Sequence, residues 1–301
     1  MATIKKKGSC NKRMQLLGVF LILPAFLLIL LDIIIPIAWN IILSFQQWSG
    51  LGPVKWAGID NFVQVVTDDV TRFSFSNSII IAVLSALIAI LGGLLLAILI
   101  YRMNRREGAV YRLVFFTPNM LPLTVVGLLF VFIYTPDVGI LNNVLGVLGL
   151  GIFKHAWLAE PGIVLVALSV TGGWRVAGLT MMLCYTAISS IPASLFEAGK
   201  MDGASYLKIV RMVIMPMIKP TIQTCALLTT ITTFKTYDLV YVMTKGGPGD
   251  LSRTVPLRML DVGFIYNEFG YAAAIGTVFT LVVMAIIFII WKMMRSEVYE
   301  Y

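Results

Sequence analysis

Charged side chains are scarce in this sequence. Of its 301 residues only 13% are Asp, Glu, Lys or Arg, and 59% are hydrophobic. A soluble chain carries about a quarter charged residues. Cysteine is scarce too: Cys10, Cys184 and Cys225 are the only three, and His155 is the only histidine. Two of the cysteines sit in apolar runs, and none stands at metal-ligand spacing from His155. This excludes a disulfide framework and a metal site of the usual spacing. No G-x-x-x-x-G-K-[ST] phosphate loop is present, so the chain does not hydrolyse ATP by itself. There is no nucleophile–base constellation, no low-complexity tract and no clear internal repeat.

Long apolar runs are what the sequence has instead. Several reach roughly 20 residues, enough to cross a hydrocarbon core of about 30 Å as helices. A membrane barrel would show short alternating segments. The fold class is therefore an all-α polytopic membrane protein, with 1–301 as a single transmembrane domain. Six spans are expected, at 16–46, 76–101, 110–134, 161–187, 220–243 and 269–292. The segment "MATIKKKGSCNKRMQ" is like the n-region of a signal peptide. The apolar stretch after it is long and lacks a small-x-small cleavage site, so it reads as an uncleaved first span.

The net charge of +8 would suggest nucleic acid in a soluble protein. Here it follows from Lys and Arg concentrated in cytoplasmic loops, and no nucleic-acid partner is implied. An N-in arrangement puts fifteen Lys and Arg inside, among them Lys5, Lys6, Lys7, Arg105, Arg106, Lys208 and Arg295. Six fall outside: Lys55, Arg72, Lys154, Lys245, Arg253 and Arg258. Both termini are then cytoplasmic. The outer loops, such as "QQWSGLGPVKWAGIDNF" and "TKGGPGDLSRTVP", are too short to be domains.

One cytoplasmic loop, 190–219, breaks the apolar pattern with "EAGKMDGAS". Ser194 and Glu197 fit a capping box. Ala198, Met201 and Ala204 continue an apolar face, and Gly203 is a helix stop. A second short helix, "SYLKIVRMVIM", ends near Pro216 and Pro220. An apolar face outside the lipid costs energy unless it docks on protein.

The loop "EAGKMDGASYLKIVRMVIMPMIKP" resembles the EAA loop of binding-protein-dependent ABC importer permeases. Glu197, Ala198, Asp202, Gly203, Ala204, Ile214 and Pro216 match. Gly199 stands for the second alanine, and Met215 for the leucine before the final proline. "LPAFLLILLDIIIPIAWNIILSFQQW", "GIDNF" and "TFKTYDLVYVMTKGGPG" resemble the carbohydrate permeases of the maltose and glycerol-phosphate type. The likeness is to the six-span partner, which lacks extra N-terminal spans and a large periplasmic domain. It covers nearly the whole chain.

The resemblance implies a type I ABC importer permease fold in a bacterial cytoplasmic membrane. It implies a non-catalytic subunit importing an oligosaccharide or related carbohydrate. The implied partners are a second homologous permease, two ATPase subunits that bind ATP and Mg, and an extracellular solute-binding protein. Glu197, Ala198, Gly199, Asp202, Gly203 and Ala204 become the part that couples to the ATPase. Another solute, such as glycerol phosphate, is an alternative cargo. An ion-coupled secondary transporter is an alternative of a different class, but Asp32, Asp238 and Arg175 are little material for a relay. A scaffold without transport is a third.

Polar groups at membrane depth mark where a solute passes. Thr229, Thr232, Thr233 and Thr236 share one helical face. Hydroxyls there suit uncharged sugars, or bond their own backbone or a neighbouring helix. The resemblance places them near sugar-contact positions, with Asn119, Arg175, Val176 and Leu179 also near lining positions. Arg175 suits an acidic sugar or a structural ion pair. Trp174 offers a sugar a stacking face or anchors the interface. Lys235 and Asp238 are spaced to pair locally, and Asp32 reads as a structural group.

The orientation is testable in a chain with its native cysteines replaced. Single cysteines at Gly52 and Pro248 should react with an impermeant thiol reagent from outside, and one at Gly203 should not. The opposite labelling pattern would reverse the topology.

Overall fold

The computed structural model of the protein describes residues 12–294. Cys10, Lys5, Lys6, Lys7 and Arg295 lie outside them. Helices form because lipid offers no partner for backbone N–H and C=O groups. In chain order they are α1 (Lys12–Ile29), α2 (Ile35–Ser44), α3 (Asp60–Thr67), α4 (Asp69–Tyr101), α5 (Arg105–Met120), α6 (Leu123–Tyr134) and α7 (Ile140–Val147). Then follow α8 (Ile163–Ser189), α9 (Ala193–Met201), α10 (Tyr206–Ile209), α11 (Met215–Met217), α12 (Lys219–Phe234), α13 (Asp238–Thr244), α14 (Val255–Leu260) and α15 (Phe269–Met294). A two-residue β1 (Gln46–Gln47) pairs antiparallel with β2 (Lys55–Trp56).

Among the described residues, four helical segments are long and apolar enough to cross a membrane: Leu17–Ser44, Asp69–Tyr101, Ile163–Ser189 and Phe269–Met294. The count reaches six if two bent pairs are each one span. The expected straight run at 110–134 is one of these pairs: α5 and α6 meet at 100°. The cause is local. Leu121 precedes Pro122, which drives it to extended backbone (ψ 141°). Pro122 also lacks the N–H that a continuing helix would use. The other pair bends by 68° at Ile218, between Tyr206–Met217 and Lys219–Phe234. The expected span 220–243 also breaks, between Phe234 and Asp238.

The centre of the bundle is α4 against α8. On α4, Ser78, Ala82, Ser85, Ala89, Gly93 and Ala97 are buried at three- and four-residue spacing. Such a stripe of small residues lets two backbones approach. A Cβ on Gly93 would lie 2.6 Å from the Ala177 carbonyl oxygen, and one on Gly173 would lie 2.7 Å from Ile88. The first span is held differently. Asn40 donates from α2 to Thr277 Oγ1 (3.1 Å) and the Ala273 carbonyl (3.3 Å) on α15, while its long apolar stretch lies exposed.

A polar cluster ties the N-terminal end of α4 to α14 and to the start of α15. The Asp68 carboxylate caps α4 at the Val70 N–H (3.1 Å). It also accepts from Thr71 Oγ1 (2.6 Å), Arg258 Nη2 (2.8 Å) and Tyr271 Oη (2.9 Å). The loop after α13 is fixed on α4 beside it. Asn77 donates to the Arg253 carbonyl (3.0 Å), and the Val255 N–H donates to Ser78 Oγ (2.8 Å). Arg253 pairs with Asp250 and Asp261.

Burial alone would raise the Asp68 carboxyl. The hydrogen bonds from Thr71, Arg258 and Tyr271, with the Arg258 charge, outweigh it and lower it from 3.8 to about 2. A lowered carboxyl stabilises the fold fully above its ordinary value, and this is lost as pH falls through the folded value. Asp68→Asn should therefore cost about 2 kcal/mol at pH 7. The difference from wild type should shrink as pH falls towards 2. Unfolding of the solubilised chain across that range measures it.

Candidate functional site

Two groups of side chains stand out: a polar level near mid-depth and the loop between α8 and α12.

The level follows from how three elements cross. Arg112 on α5 stacks over the Tyr185 ring (4.2 Å to its centroid) on α8. One turn on, the Phe115 carbonyl lies against Gly178. The two helices therefore run antiparallel, and a further turn brings Asn119 level with Trp174 and Arg175. On the other side, Cys184 and Cys225 pack in one buried cluster, and Leu239 touches the site of Gly172. This sets α12 and α13 antiparallel to α8, with Thr232, Thr233 and Thr236 at the same depth. That depth is close to the midpoint of α8.

The predicted residues divide by exposure at this level. Val176, Thr229 and Thr233 are buried, at 3%, 2% and 4% exposure. Thr229 Oγ1 donates to the Cys225 carbonyl (2.7 Å) on its own helix. Thr233 Oγ1 lies 2.9 Å from the Thr229 carbonyl and 3.2 Å from the Ala82 carbonyl of α4. These three form a packed wall. Asn119, Arg175, Leu179 and Thr236 are half-buried, and Thr232 is exposed. Thr232 donates to the Leu228 carbonyl (2.7 Å) and Thr236 to the Thr233 carbonyl (2.7 Å).

Arg175, Leu179, Met182 and Thr186 follow one another on the less covered face of α8. The Arg175 Nε is buried without a hydrogen-bond partner among the described residues. Trp174 packs on Phe130 at 5.3 Å and keeps 41% of its surface open. Lys235 and Asp238 flank the break between α12 and α13, and no ion pair joins them, contrary to their spacing. Asp32 lies exposed in a π-helical turn, Leu30–Ile34, lining a cavity with Asn40, Thr277 and Thr280.

The loop is two short helices with a left-handed elbow. The expected capping box does not form. α9 begins at Ala193 with Pro192 in the cap position, so Ser194 is already inside the helix. The side-chain cap is instead Ser205, whose Oγ accepts from the Lys208 N–H (3.4 Å) at the start of α10. At the end of α9, Gly203 N–H donates to Lys200 O and Ala204 N–H to Gly199 O, both at 3.0 Å. This is the Schellman pattern, and its left-handed residue is Gly203 with φ +70°. No atom crowds a Cβ there, so conformation, not space, calls for glycine. At Gly199 a Cβ would reach Ile209 at 3.4 Å, and a methyl group nearly fits there.

The loop is clamped from above by residues that the sequence pattern did not single out. Tyr206 Oη donates to the Ile98 carbonyl of α4 (2.9 Å), and Arg102 stacks on the Tyr206 ring (4.6 Å). Phe196 packs on Tyr101 at 5.6 Å. The only signal for Tyr206 is its place just after the elbow. Between these groups lies a cavity of about 650 Å³ lined in part by Glu197, Lys200 and Ala204. Below, the loop presents Ala198, Asp202, Met201 (87% exposed) and Leu207 (77%). Neither Glu197 nor Asp202 has an ion-pair partner among the described residues.

Comparison with known proteins fits this arrangement. The family of binding-protein-dependent transport system inner membrane components matches residues 89–296. A probable ABC transporter permease, YurN of Bacillus subtilis, is 33% identical over 89% of this chain and 92% of its own. The diacetylchitobiose uptake permease NgcF of Streptomyces coelicolor is 30% identical over 86% of this chain and 77% of its own. The sulfoquinovosyl glycerol permease SmoG of Agrobacterium fabrum is 29% identical over 94% and 92%. A chain in the crystal structure of a bacterial ABC transporter that imports the acidic polysaccharide alginate superposes with a TM-score of 0.79. It covers 94% of this chain and 96% of that one, at 22% identity, and so shares the fold. The chain belongs to the inner membrane components of binding-protein-dependent transport systems, as a permease subunit and not a catalytic one.

Proposed function

We propose that this chain is the six-span permease subunit of an ATP-driven importer for an oligosaccharide or related carbohydrate. The observation that carries the reading is the exposed loop, held rigid by its elbow and clamped to α4. Met201 and Leu207 gain nothing from water there, and a partner protein removes that cost. The partner would be one of two ATPase subunits binding ATP and Mg, with Glu197 and Asp202 free to meet its cations. Residues 190–219 and both termini would lie in the cytoplasm of a bacterial cell. A second permease would close the path, and an extracellular binding protein would deliver the cargo. Curated relatives that carry saccharides by name support the cargo class: diacetylchitobiose for NgcF, lactose for LacF of Rhizobium radiobacter.

The sugar path would run along the open side of the polar level, past Asn119, Arg175, Leu179, Thr232 and Thr236. Val176, Thr229 and Thr233 would form the wall behind. Because Tyr206 and Arg102 tie the loop to α4, and Ile218 joins it to α12, a push on the loop moves two walls of the path together. ATP binding then shifts the population of path conformations by what the ATPase contacts differently in each.

Two substitutions test the halves of this reading separately. Gly203→Val forces a β-branched residue into the left-handed region, at about 1–2 kcal/mol or more. It should insert normally but lose substrate-stimulated ATPase activity or release the ATPase on purification. Gly203→Asn, which tolerates that region, should retain most of it. Normal coupling in Gly203→Val would sink the coupling assignment.

Thr236→Val removes one hydroxyl from the path. Its KM for the transported sugar should rise roughly 2- to 10-fold, the scale of one hydrogen bond, with assembly intact. An unchanged KM would place Thr236 in helix packing alone.

A further inference from the structure

We propose that Arg175 receives the carboxylate or sulfonate of an anionic saccharide, so that acidic sugars are the cargo class of this importer. The inference rests on the reading that the mid-depth level lines a saccharide path.

A guanidinium stays charged under all working conditions. At mid-membrane such a charge is costly unless something answers it. Within the described residues nothing does. Arg175 has no ion pair, and its Nε is buried with no hydrogen-bond partner. The carboxylates that could have served are placed elsewhere. Asp68 is taken by Arg258, and Asp250 and Asp261 by Arg253. Asp32 lines its own cavity against α15. Asp238, the first residue of α13, forms no ion pair among the described residues, with Arg175 or any other cation. The chain thus pairs the outer arginines Arg72, Arg253 and Arg258 and leaves this one open.

Its position gives the charge a direction. Arg175 lies on the less covered stripe of α8, ahead of Leu179 and Met182. It is level with Asn119, whose amide has no hydrogen-bond partner among the described residues, and with Thr232 and Thr236. The planar fork of Arg matches a carboxylate with two parallel bonds, and a sulfonate offers the same pair of oxygens. Trp174, the residue before it, is steadied by Phe130 and stays partly open. An aromatic face beside a guanidinium suits the ring and the acid of one sugar unit.

The test uses the complete importer with its partner permease, ATPase and binding protein in proteoliposomes. ATP-dependent uptake is measured for trigalacturonate, sulfoquinovosyl glycerol and neutral maltotriose, in wild type, Arg175→Lys and Arg175→Gln. Co-purification of the partner permease is recorded for each. Wild type should carry an anionic probe. Arg175→Gln should raise its KM about tenfold or more, the scale of a charge-assisted hydrogen bond, with the partner permease retained. Arg175→Lys should fall between, since it keeps the charge and loses the fork. Uptake of maltotriose alone, with a KM that Arg175→Gln leaves unmoved, would overturn the inference and leave the saccharide importer standing. Loss of the partner permease in Arg175→Gln would also overturn it, by assigning Arg175 to a carboxylate of that subunit. Failure to carry any saccharide would overturn the reading beneath it.

Discussion

The contact between α4 and α8 is the constraint on which the rest of the structure depends. Between apolar helices in lipid, little hydrophobic force acts, so close packing must supply the attraction. Small side chains along α4 and Gly173 and Ala177 on α8 allow it. Once these two helices are locked, the other elements are placed by what they touch on them. α5 is set by Gly178 and Tyr185, α12 by Ala82 and Cys184, and the loop by Ile98 and Arg102. A bulky residue at Gly93 or Gly173 would displace both the polar level and the clamp above the loop.

The broken helices stand next to this rigid pair. α4 and α8 run unbroken for 33 and 27 residues. The bends fall on the segments beside them, at Leu121–Pro122, at Ile218 and between Phe234 and Asp238. Asn119 sits just before the first bend and Thr236 inside the third, so two polar groups of the level lie where the helical ladder is interrupted. Irregular backbone at membrane depth is tolerated where protein or a cavity satisfies it. The sequence signals this at Pro122, but not between Phe234 and Asp238, where no proline or glycine stands.

Much of the fold was legible in the residues, for a plain reason. Apolar length is a local property, and each expected span contains helix. What escaped was bending, because periodicity carries no direction. The Ser194–Glu197 cap failed because the helix starts at Ala193, capped by Pro192, two residues earlier than the motif assumes. Gly203 was legible because the left-handed elbow is also local. The division of the threonine stripe was not. Four threonines on one face look alike in sequence, and the proximity of Ala82 on another helix decides that Thr233 is wall while Thr232 faces outward. The Asp68–Arg258–Tyr271 cluster joins residues some 190 and 203 positions apart, beyond the reach of any local pattern.

Thr232 and Thr236 have already spent their hydroxyl hydrogens on backbone carbonyls one turn back, so towards a solute they are acceptors only. The Asn119 amide, which has no hydrogen-bond partner among the described residues, both donates and accepts, and Arg175 can only donate. The level therefore offers acceptors from α12 and its C-terminal end, and donors from α5 and α8. A sugar hydroxyl does both at once, and a ring lying across the level can donate to one side while accepting from the other. A solute with acceptors alone would satisfy Arg175 and Asn119 and leave the threonines idle. On the proposed path, the threonine face and the arginine together match a molecule that carries hydroxyls and an acid better than a simple anion or a simple polyol.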